Sequence, residues 1–113
     1  MTDPADRLAA LRVEALELIK ALDRRLDGII ESSAHTTNDD EHDPEGVTVA
    51  YERAQTADLL QRARADLQAL DAAGDRLASG TYGTCQRCGR PINAERLDAL
   101  PAATTCIQCA DRR

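Results

Sequence analysis

"CQRCGRPINAERLDALPAATTCIQC", Cys85 to Cys109, is the stretch on which the fold turns. It opens on one Cys-x-x-Cys pair, Cys85 and Cys88, and closes on another, Cys106 and Cys109, with seventeen residues between them. Two residues between ligands let a tight turn aim both sulfurs at one ion, and two such turns complete a tetrahedron. The spacing is that of a four-cysteine zinc site. Gly89, directly after Cys88, frees the backbone for the turn. Asn93 can cap a short helix over 94–100, which Pro101 stops. Four thiolates leave no open coordination position, so the expected Zn²⁺ is a single structural ion. A redox dithiol is the competing reading. Two matched pairs are more specific than one, and no thioredoxin-like βαβ pattern accompanies them.

Residues 81–113 also carry five arginines, Arg87, Arg90, Arg96, Arg112 and Arg113, against Glu95, Asp98 and Asp111. A zinc ion with four thiolates adds roughly two negative charges, so the module comes out near neutral. A DNA-reading finger is normally clearly basic. Across all 113 residues the net charge is −6, which argues against general phosphate binding. There is no Phe or Trp, and Tyr51 and Tyr82 are the two aromatics, so stacking platforms for single strands are missing. The N-terminal "MTDPADRLAALR" has no apolar signal core, and no run approaches a membrane span. The expected location is the cytosol, where four cysteines point to metal before disulfides.

Upstream of the finger, Ala and Leu dominate the apolar residues, which suits thin helix-on-helix packing. From Pro4 to about Ser33 one long helix is expected, with Asp3 as N-cap and Pro4 at its first position. Its apolar stripe is Leu8, Leu11, Ala15, Leu18, Leu22, Leu26 and Ile29. A second helix runs from about Thr48 to Ala78, with Pro44 as the other possible start. Its stripe is Ala57, Leu60, Ala63, Leu67, Leu70, Gly74 and Leu77. Gly74 suggests a close approach between helices. Two helices of similar length with a loop between them make an antiparallel coiled-coil hairpin about 45 Å long. The expected fold class is therefore mainly α: a hairpin over 1–80, with its tip at about 34–47, and a four-cysteine zinc finger over 81–113. Leu77, Tyr82, Ile92, Leu97 and Leu100 are the expected small core where the finger meets the helices. A monomer is expected.

The tip holds Asp39, Asp40, Glu41, Asp43 and Glu45 with no Lys or Arg among them. An EF-hand is rejected, because Pro44 stands where the loop needs Gly and Ala50 where it needs Glu. A looser cation site with His35 or His42, and a merely solvated turn, remain as alternatives. Tyr51 and Arg53, just past the tip, could touch a partner or pack on the hairpin.

The finger resembles the DksA/TraR family of C4-type zinc-finger proteins. Tyr82, Gly83, Cys85, Cys88, Gly89, Ile92, Arg96, Leu97, Ala99, Pro101, Ala103, Cys106 and Cys109 carry the likeness. Among these, Tyr82, Ile92, Arg96 and Leu97 are the expected finger core. The upstream hairpin with its acidic tip is similar to the longer members, more loosely. The resemblance implies a bacterial transcription regulator, not an enzyme, that binds RNA polymerase rather than DNA. It implies that the hairpin enters the secondary channel and that the tip, around Asp39, Asp40, Asp43 and Glu45, perturbs the active centre or the open complex. The family's tip pattern is Asp-x-x-Asp-x-Ala starting Asp-Pro. Here Asp43-Pro44 starts the same way, but Gly46 replaces the second aspartate and Thr48 the alanine; Asp40 and Asp43 repeat the spacing one register earlier. At the positions where family members bind ppGpp through Arg and Lys, this chain has Leu100 and Ala110. Two other readings use the same fold: a zinc-stabilised adaptor for another protein partner, and Gre-like stimulation of transcript cleavage.

Overall fold

The computed structural model describes residues 3–34 and 44–111. Four helices follow in order: α1 (Pro4–Ala34), α2 (Pro44–Ser79), α3 (Ala94–Ala99) and α4 (Ile107–Ala110). The start of α1 is as its sequence dictates. Asp3 accepts the Ala5 backbone N–H at 3.0 Å, and Pro4 occupies the position whose N–H would go unused. Of the two possible starts for the second helix, the earlier holds, with Pro44 inside α2.

The chain divides into two compact units. One joins Met1–Glu14 to Leu67–Arg113, and the other is Ala15–Asp66. Within Ala15–Asp66 the two helix segments run antiparallel, and Leu22, Leu60 and Ala63 form the buried seam with Ile19 and Leu26 packed against it. Arg64 of α2 reaches Asp23 of α1 at 3.2 Å. Both groups are about half exposed, so the pair contributes only about 0–1 kcal/mol. In the other unit the helix segments are again antiparallel, with Arg12 Nε 2.7 Å from Asp71 and with Leu8 and Ala73 buried.

Two stripe assignments change. Leu18 is 51% exposed, and Ile19 packs on the seam instead. On α2, Thr56 is 1% exposed while Ala57 faces solvent. Equal steps drift in both helices, backward for steps of three and forward for steps of four: Ala57–Leu60–Ala63 slips back by about 120°. Consecutive steps of four, Leu18–Leu22–Leu26, drift about 80° around a helix that turns about 100° per residue. The set Ile19–Leu22–Leu26 alternates three and four and stays on one face, as does Thr56–Leu60–Ala63–Leu67. Thr56 is a polar residue on the buried face, and among the described residues no buried side-chain nitrogen or oxygen lacks a hydrogen-bond partner. Ala73 is fully buried where Gly74 was expected to face the partner helix. A Cβ placed on Gly74 would meet nothing within 4 Å, so close approach is not the reason for that glycine.

Candidate metal centre

The finger begins where α2 ends. Gly80 adopts φ 84°, a left-handed conformation that glycine takes without strain. This lets the Thr81 N–H bond the Arg76 carbonyl at 2.9 Å and the Gly80 N–H bond that of Leu77 at 3.4 Å, a Schellman ending that satisfies the last turn. The chain then leaves the helix axis, and the Tyr82 hydroxyl donates to the Pro101 carbonyl at 2.8 Å. Burial raises the Tyr82 phenol above its usual value, with Arg7 and Arg76 pulling the other way.

The first cysteine pair sits in a short hairpin. Thr84 and Pro91 form an antiparallel bridge, the Ile92 N–H bonds the Gly83 carbonyl at 2.7 Å, and the Cys85 N–H bonds that of Arg90 at 2.8 Å. Gly89, at φ 77°, closes the turn by donating to the Cys85 carbonyl at 2.9 Å. The second pair straddles the start of α4, where the Ala110 N–H bonds the Cys106 carbonyl. The two turns are tied by the Gln86 N–H donating to the Thr104 carbonyl at 2.8 Å and by Arg87 donating to the Cys109 carbonyl at 3.2 Å.

Helix α3 braces the site from the side. Its Asn93 cap accepts the Glu95 N–H at 3.1 Å. Arg96 Nε donates to the Thr105 carbonyl at 2.9 Å, directly before the ligand Cys106. Leu97 packs on the cluster of Cys85, Ile92 and Cys109. Asp98 lies 3.6 Å from Arg7 of α1. Ile92 and Leu97 thus pack with the cysteines and Arg96 holds the backbone beside Cys106, whereas Tyr82 stands at the joint with the helices, on the Pro101 carbonyl. Leu100 is not part of this core; it is 52% exposed at the C-cap of α3, where the helix ends. The backbone ties made by Gln86, Thr104 and Thr105 were not legible beforehand, since a carbonyl acceptor leaves no mark on residue type.

All four cysteine sulfurs lie within 4.8 Å of one another, and those of Cys88 and Cys106 are 3.8 Å apart. A tetrahedron with Zn–S bonds of about 2.3 Å has edges of about 3.8 Å, so the arrangement fits one zinc ion. The chemistry of the sulfurs fits as well. Cys85 is held down to about 6 by the backbone N–H groups of Cys106 and then Cys88, and Cys106 is lowered chiefly by the backbone N–H of Cys109. Cys109 is pushed up to about 12 by desolvation and then by hydrogen bonding with the neighbouring sulfurs. Four thiolates cannot crowd together without a compensating charge, and a divalent cation supplies it while replacing the protons. With four protein ligands no position stays open for substrate, so the site is structural.

Asp39, Asp40 and Asp43 lie outside the described residues, as do His35 and His42, and Glu45 stands in the first turn of α2.

Comparison with known proteins adds to this geometry. Residues 80–113 match the model of the prokaryotic DksA/TraR C4-type zinc finger. A protein of Aquifex aeolicus (strain VF5) is 43% identical over 47 residues, which are 42% of this chain and 32% of that protein. The RNA polymerase-binding transcription factor DksA of Caulobacter vibrioides is 34% identical over 61 residues, 54% of this chain and 43% of that one. The chain therefore spans less than half the length of these relatives in the matched region. The solved structure of transcription factor DksA2 from Pseudomonas aeruginosa superposes with a TM-score of 0.80 at 29% identity, covering 96% of this chain and 78% of that one.

Proposed function

Since the chain belongs to the DksA/TraR family of C4-type zinc-finger proteins, we propose that it regulates transcription by binding RNA polymerase. In this reading the helical hairpin enters the secondary channel, and the acidic stretch between α1 and α2 acts on the active centre or the open complex. The observation that carries it is the likeness to DksA2 over 96% of the chain, helices and finger together. The role of the finger is to hold the end of the hairpin. Zinc at Cys85, Cys88, Cys106 and Cys109 sets the two turns, and α3 links them to α1 through Asp98 and Arg7. The five carboxylates of the run from Asp39 to Glu45 favour basic surroundings and metal-bearing sites.

The protein is not itself an enzyme in this proposal. It works as a monomer in the cytoplasm, and no described helix is long and apolar enough to cross a membrane. Its effect is independent of ppGpp bound through the finger, because neither Leu100 nor Ala110 can pair with a phosphate.

The test is promoter transcription with purified polymerase, with and without the protein. Wild type should change the yield of at least one promoter, and replacing Asp40 and Asp43 by Asn should remove that effect without removing zinc. Absence of any binding to core polymerase at micromolar protein and low salt would overturn the proposal.

A further inference from the structure

The chain has two aromatic residues, and the structure uses them in opposite ways. Tyr82 is partly buried, with its hydroxyl on the Pro101 carbonyl. Tyr51 is 68% exposed, and among the described residues its hydroxyl has no hydrogen-bond partner. One turn before it stands Val47, 73% exposed. The helix places both residues off the seam. At about 100° per residue, Tyr51 and Val47 lie about 140° and about 180° around α2 from the buried Thr56. The seam that packs on α1 is on the Thr56–Leu60–Ala63 side, so this pair faces away from it. A single exposed apolar residue needs no explanation, but two bulky ones stacked at i and i+4 form a continuous face.

We propose that Val47 and Tyr51 are the apolar anchor by which the start of α2 grips its protein partner. This rests on the polymerase reading and deepens it. Charge identifies the kind of surface. The residues directly before this face in the sequence hold five carboxylates and no Lys or Arg. Such a run repels nucleic acid and anionic lipid, and it is complementary to a basic protein surface. The carboxylates steer the approach, while the tyrosine ring fills an apolar recess beside the cations. Tyrosine suits that task because its large rigid ring loses little conformational entropy on contact.

Affinity for purified core RNA polymerase tests the proposal, measured for wild type and for Val47→Ser, Tyr51→Ser and Tyr51→Phe across a salt series. Both side chains point into solvent, so the thermal midpoint and zinc content should not change. Tyr51→Ser should bind at least tenfold more weakly, Val47→Ser severalfold more weakly, and Tyr51→Phe nearly as well as wild type. The salt dependence of the serine variants should keep the wild-type slope, because an apolar contact releases no counterions. If both serine variants bind as wild type does, the anchor is overturned while the polymerase reading stands. A wild-type dimer in sedimentation that Tyr51→Ser dissolves would assign the face to a second copy and overturn it too. Failure of wild type itself to bind would take down the function and the anchor together.

Discussion

In the Ala15–Asp66 unit the buried cluster is Leu22, Leu60 and Ala63, flanked by Ile19 and Leu26. In the finger it is Cys85, Ile92 and Cys109, flanked by Leu97 and Cys106. The first set is entirely hydrocarbon, and it is long and thin because alanine alternates with leucine along helices that need only one apolar stripe. The second is mostly sulfur, in a stretch whose two helices have six and four residues. Helices that short are not stable on their own. The difference teaches where each region's order comes from. The helical segments hold through area removed from water, whereas the finger holds through a few directed bonds and the ion that its thiols are placed to bind.

Removing the metal should break the comparison most sharply. Binding at structural zinc sites of this type is worth about 10–16 kcal/mol in small fingers, and that free energy is the folding free energy of the module. Chelation, or Cys109→Ser, should collapse the amide dispersion of residues 83–111 while most of the helical circular dichroism survives. Loss of the whole helical signal would mean that the two regions do not differ in this way.

The converse change is Leu60→Ala, at 4% exposure in the middle of the seam. It should cost about 2–5 kcal/mol of hairpin stability in a urea titration. Zinc content by mass spectrometry should stay at one ion per chain.

Smaller effects sharpen the same contrast at the joint between helix and finger. Tyr82→Phe removes the bond to the Pro101 carbonyl and should cost about 1 kcal/mol. Its pH dependence has a defined sign. The folded phenol titrates above its usual value and the unfolded one near 10, so ionisation favours the unfolded chain. The wild type should be fully stabilised below about pH 10 and lose part of that stability as pH rises further, whereas the phenylalanine variant should not share that loss. Parallel alkaline curves for the two proteins would contradict it.

At the lower end are two glycines, Gly74 inside α2 and Gly80 just past its end. Gly74→Ala should stabilise by up to about 1 kcal/mol, because the added methyl meets nothing and the helix gains propensity. Gly80→Ala should destabilise by about 1 kcal/mol, since φ 84° is costly for any residue with a Cβ. Thermal melts of the pair should therefore move in opposite directions.

How far the sequence could be read depended on how local each signal was. Both helix starts in question rest on contacts within two residues: Asp3 to the Ala5 N–H, and Asn93 to the Glu95 N–H. The zinc site depends on ligand spacing and a glycine turn, which a single strand of text contains. The register of the seam is different, because a step of three and a step of four are both compatible with one helix considered alone. The facing helix takes Ile19 and Thr56, whose steps alternate, over their sequence neighbours Leu18 and Ala57.

By itself, then, the sequence of this protein determined the two long helices and the short one after Asn93, the Asp3 and Asn93 caps, the four sulfur ligands and the acidic run between Asp39 and Glu45. Each of these depends on neighbours within a turn or on ligands at a fixed spacing. Tertiary structure alone decided that Thr56 and Ala73 are buried, that Leu100 is exposed, and that Tyr51 with Val47 faces outward. Those outcomes depend on which side of a helix meets another, and burial is a property of the pair of surfaces rather than of either one.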